Sequence, residues 1–134
     1  MKPSTVSIPF VVAFLAAAGS TVLTAPEREQ PMTLARIMQL KLEFSQGILK
    51  SIVTEDYASL ERQARELGKL TETSAWGVLR TPEYARQSLE FLHAAESLAV
   101  AAKQHNLEST TFEYMGLTLK CVQCHRYMRQ ARAN

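Results

Sequence analysis

Beyond about Pro31, apolar residues recur every three or four positions and nowhere alternate, a pattern that admits helices and offers no convincing strand. The spacing predicts four segments. The first covers about 32–53, with Leu34, Ile37, Met38, Ile48, Leu49 and Ile52 on one stripe broadened by Leu40, Leu42 and Phe44. The second covers about 55–70, with Thr54 as its N-cap and a seam of Tyr57, Leu60, Ala64 and Leu67. The third has the sharpest start: Thr81 as cap, Pro82 in the first turn, Glu83 behind it. It carries Tyr84, Phe91, Leu92, Ala95, Leu98, Ala99 and Ala102 inward and is expected to end near Asn106. The fourth covers about 109–132, with Phe112, Met115, Leu119 and Val122 expected inward. Four amphipathic helices on short links imply an all-α fold, an antiparallel four-helix bundle.

Ahead of this pattern, residues 1–25 carry Lys2, an apolar run from Ile8 to Ala18 and then small residues, the signature of a secretory signal. The run is about 11 residues, short of the roughly 20 that a bilayer span requires, so an uncleaved membrane anchor is the weaker alternative. Cleavage falls between 19 and 25, and Pro26 disfavours the site after Ala25. The remainder, 26–134, is expected to be one exported domain, periplasmic or otherwise outside the cytoplasm. Its 15 basic and 13 acidic residues are interspersed and the net charge is +2, which excludes an electrostatic case for nucleic acid.

Export makes a disulfide the ordinary use of two cysteines. Cys121 and Cys124, however, stand three apart in a helical pattern, where structural disulfide geometry fits poorly. His125 follows directly, completing Cys-Val-Gln-Cys-His, the pattern of c-type haem attachment. Two thiols at this spacing reach the two vinyl groups of one porphyrin, and the adjacent imidazole becomes an axial ligand of the iron. A structural zinc site would need two further ligands, and His93 and His105 sit on or at the end of the third segment with no second cysteine pair. A thioredoxin-like pair would want a strand-to-helix setting. The motif therefore points to one covalent haem c.

Its place on the last helix resembles the cytochrome c′ family, the class II cytochromes c, over about residues 32–129. The matching residues are Cys121, Cys124, His125 and Arg129; Met128 stands where family members commonly carry an aromatic, with Tyr127 one position earlier. The resemblance implies electron transfer with redox partner proteins, or binding of a small gas such as nitric oxide at an open iron position. It also implies that the distal position belongs to Met38, whose thioether would make the iron six-coordinate. Arg129 is a candidate for modulating His125 or meeting a propionate. Arg36 and Lys41 are further propionate candidates, although a solvated helix face is the commoner use of each. Small residues at Ser45, Gly47, Gly116 and Thr118 serve either helix contact or room for the ring. Family members often dimerise through the first two helices, and Leu40, Leu42 and Phe44 would suit such a homodimer face. No catalytic dyad, paired carboxylates or phosphate loop is present, so the expectation is a carrier rather than an enzyme.

Overall fold

Local capping chemistry sets each helix boundary in the computed structural model, which describes residues 32–133. The secretory signal expected at 1–25 lies outside the described residues. The side chain of Thr33 accepts from Arg36 N–H at 3.2 Å and opens α1, Leu34–Val53. Thr54 closes α1 instead of opening the next helix, because Glu55 adopts φ 53° and reverses the chain. Asp56 then caps α2, Tyr57–Lys69, its carboxylate accepting from Ser59 N–H at 3.0 Å. That bond, offered by a group facing the helix N-terminus, holds the Asp56 carboxyl below the usual carboxylate range.

Two short 3₁₀ turns, Leu70–Glu72 and Ser74–Trp76, occupy the link that follows. Thr81 and Pro82 start α3, Pro82–Lys103, where the sequence places them. Asn106 supplies the side-chain acceptor for Ser109 N–H at 2.8 Å, and α4 runs Leu107–Ala133. The architecture is thus four helices with no strand among the described residues.

One core joins all four helices. Ile37, Ile48, Leu60, Ala64, Leu67, Phe91, Ala95, Leu98, Ala99, Ala102 and Leu117 form its centre. Each fully buried leucine or isoleucine there contributes about 1.5–3 kcal/mol of transfer free energy. Along the chain α1 packs on α2, α2 on α3 and α3 on α4, whereas α1 and α4 meet only sparsely. That sparse seam positions the site.

On α4 the inward face differs from the expected one. Phe112, Met115, Leu119 and Val122 are 75%, 66%, 53% and 47% exposed. Thr110 and Leu117 are buried instead, with Tyr114, Cys121 and Met128 packed against the core. The physical reason is that α4 carries two stripes, and the more apolar one lies opposite Leu117. On α1, Leu49 is likewise exposed, while Leu40 and Phe44 turn toward the core and leave only Leu42 of the expected dimer face in solvent.

Candidate cofactor site

The seam between α1 and α4 encloses a cavity of about 190 Å³. Leu34, Met38 and Lys41 of α1 line one side, and Cys124, His125, Met128, Arg129 and Arg132 of α4 the other. Trp76, Val78 and Tyr84 close it. Tyr84 OH donates to the Trp76 carbonyl, and Trp76 Nε1–H donates to Ser88 Oγ at 2.9 Å, which ties the link to α3. Tyr127 OH and Thr81 Oγ1 share a hydrogen bond of 2.7 Å and fix α4 to the start of α3 beside the cavity.

Four of the five residues singled out from the sequence therefore meet around one space: Met38, Cys124, His125 and Arg129. Cys121 stands one turn earlier on α4, in an adjoining groove with Val122, His125 and Arg129. Both thiols are free. Of the two uses expected of the glycines, Gly47 takes helix contact. A side chain at Gly47 would collide with Gln63 of α2, and one at Gly116 would meet nothing. Ser45 Oγ and Tyr114 OH lie 3.1 Å apart, the hydrogen-bonded link that bridges α1 and α4.

Burial pushes the Cys121 and Cys124 thiols above their ordinary pKa, against a smaller opposing pull from the Lys41 cation. Neutral thiols of this kind are unlike the depressed, reactive thiols of disulfide oxidoreductases. Desolvation, reinforced by the Lys41 and Arg129 cations, lowers the pKa of His125. Its imidazole is then neutral at physiological pH and keeps a free lone pair, the form in which histidine binds metals.

Lys41 is the residue whose role the sequence undervalues. It is only 8% exposed, and its Nζ lies 4.5 Å from the Trp76 ring centroid and 4.2 Å from that of Phe91. These are cation–π distances. None of the ion pairs among the described residues includes it, and burial lowers its pKa. The only sequence signal was its position three residues after Met38, on the edge of the apolar stripe.

The cavity wall is mostly apolar, its basic members are Lys41, His125, Arg129 and Arg132, and it contains no aspartate or glutamate. Such a lining suits a flat apolar group carrying negative charge at its rim. At 190 Å³ the space is below the roughly 300–1,000 Å³ of sites for drug-sized ligands. Admitting a tetrapyrrole requires α1 and α4 to part along their sparse seam or the ring to keep an edge in solvent. No protein-family model, curated protein or solved structure matches the chain.

Proposed function

We propose that the chain is an exported c-type cytochrome of the cytochrome c′ kind, an antiparallel four-helix bundle carrying single electrons on one covalent haem. The observation that carries this reading is the α1–α4 cavity, where Met38 faces Cys124 and His125 across an apolar space with a basic rim. In it Cys121 and Cys124 would hold the cofactor as thioethers, each thiol adding across a vinyl group, and His125, whose pKa desolvation lowers, would offer its lone pair to the iron. When bound, the haem supplies the one-electron couple between ferric and ferrous iron. Arg129 and Arg132 lie where carboxylates at the ring edge would be neutralised. Trp76 and Leu34, which line the cavity, would shield the bound group from water.

Expression in a host with an exported haem-attachment system, followed by denaturing electrophoresis, tests the proposal. Haem absorbance is expected to stay with the polypeptide at one per chain, and to become extractable when both cysteines are replaced by alanine. Haem that leaves the unaltered chain on denaturation would sink it.

A second reading rests on the apolar distal wall: iron left five-coordinate that binds a small gas such as nitric oxide. Met38 separates the two. With methionine ligation the spectrum is low-spin, and Met38→Ala converts it to high-spin. A high-spin spectrum in the unaltered protein, with ready carbon monoxide binding when reduced, selects the gas-binding reading.

A further inference from the structure

The outward face of α4 carries an organised stripe of which only Val122 also borders the groove beside Cys121 and His125. Glu108, Phe112, Met115, Leu119, Val122 and Arg126 follow one another at spacings of four, three, four, three and four, and all six are exposed. At 100° per residue they fall on one stripe diametrically opposite Leu117, which is buried. A four-three apolar repeat is the pattern of a helix–helix seam. Contiguous apolar surface of this kind on a folded protein marks a partner site.

The stripe is also symmetric about Leu117. Met115 and Leu119 are equidistant from it, as are Phe112 and Val122, and Glu108 and Arg126. An acid ends the stripe on one side and a base on the other. We propose that its occupant is a second copy of this chain, with the two α4 helices antiparallel across a two-fold axis near Leu117. Glu108 then faces Arg126 of the partner subunit, Phe112 faces the partner's Val122, and Met115 faces the partner's Leu119. A parallel copy would oppose Glu108 to Glu108 and Arg126 to Arg126, so charge alone selects the antiparallel register. The same register sets the acidic end of each helix against the basic end of the other and opposes their dipoles favourably. Gly116, beside the axis, has open space where a side chain would project, which permits close approach.

The contact is isologous, the interface of a closed dimer. The stripe spans roughly 27 Å from Glu108 to Arg126. This is a small interface, expected to give a concentration-dependent dimer rather than a permanent one. Cys121 and Cys124 lie on the inward side of α4 and only Val122 of the stripe borders their groove, so the Met115–Leu119 contacts at its centre do not depend on what the cysteines bind.

Sedimentation equilibrium of the full exported protein over a concentration series is the test. The unaltered chain is expected to show a reversible monomer–dimer equilibrium. Leu119→Lys, at a position already in solvent, is expected to weaken it at least tenfold with an unchanged circular dichroism spectrum. Glu108→Arg and Arg126→Glu alone are each expected to weaken it several-fold. Mixing those two single variants restores association as a heterodimer, because every facing pair is again opposite in sign. A chain monomeric at all concentrations overturns the proposal, as does a dimer that ignores Leu119→Lys. Loss of that dimer without heterodimer rescue overturns the antiparallel register. Binding of a monomeric chain to phosphatidylcholine vesicles, abolished by Leu119→Lys, would assign the stripe to a lipid surface instead.

Discussion

Where α2 meets α3, small buried residues let the helices approach closely. Ala64, Ala95, Ala99 and Ala102 are all buried, and a side chain on Gly68 would already touch Leu92 and Ala95. Where α1 meets α4, a cavity, a buried lysine and a single bridging pair of hydroxyls, Ser45 and Tyr114, take the place of dense packing. The first contact leaves little room for an added atom, as a well-packed core does. The second leaves unfilled volume and an unpaired charge, both of which lower stability in the cofactor-free chain. The α2–α3 side is therefore the better packed of the two, and the α1–α4 side holds the candidate site.

The largest expected effect falls on the closed side. Leu98→Ala, at a site with no exposure, is expected to cost about 2–5 kcal/mol. Leu34→Ala, half-buried on the open seam, is expected to cost clearly less. Urea unfolding of both variants measures the difference, and equal losses would dissolve the distinction between the two sides.

Lys41→Met probes the seam from the other direction. Replacing a buried ionic group by an apolar one of similar volume is expected to stabilise the cofactor-free chain by about 1–4 kcal/mol near neutral pH. The pH dependence has a definite sign. Burial lowers the folded-state pKa of Lys41, so over the interval up to its ordinary value the unfolded chain holds more protons. The penalty is complete below the folded pKa and disappears as pH rises toward about 10.4. The unaltered chain is expected to gain stability on alkalinisation through that interval, and Lys41→Met to flatten the gain. An unfolding series in pH that is the same for both chains would remove Lys41 from the account.

The smallest effect is expected at the bridge. Tyr114→Phe removes the hydroxyl that meets Ser45 and is expected to cost about 0.5–1.5 kcal/mol. Hydrogen exchange localised to α1 and α4, more than to α2 and α3, would show that the loss stays on the open side.

Much of the fold was legible because it rests on local signals. Thr81, Pro82 and Glu83 start α3 in any context, since a hydroxyl acceptor, a fixed φ and a negative charge each suit a helix N-terminus. The boundary between α1 and α2 was misplaced by two residues. Thr54 and Asp56 are both good caps, and the positive φ of Glu55 decided between them. The motif residues were legible by spacing and Met38 by the family resemblance, yet their meeting across one cavity was contained in neither. Lys41 read as surface because a lone lysine on a helix is usually solvated. It is buried because α1 and α4 meet only sparsely and its ammonium sits over the Trp76 and Phe91 rings beside that seam.

The sequence by itself determined the helices, their order and the placing of Cys121, Cys124 and His125 on the last of them. Those follow from periodicity, caps and covalent spacing, which act over a few residues. Only the tertiary structure decided which side of α4 faces the core. Periodicity shows that a stripe exists but not which of two stripes is covered. That choice is made by the neighbours, and on α4 they took Thr110, Tyr114, Leu117, Cys121 and Met128 while leaving Phe112, Met115, Leu119 and Val122 in solvent.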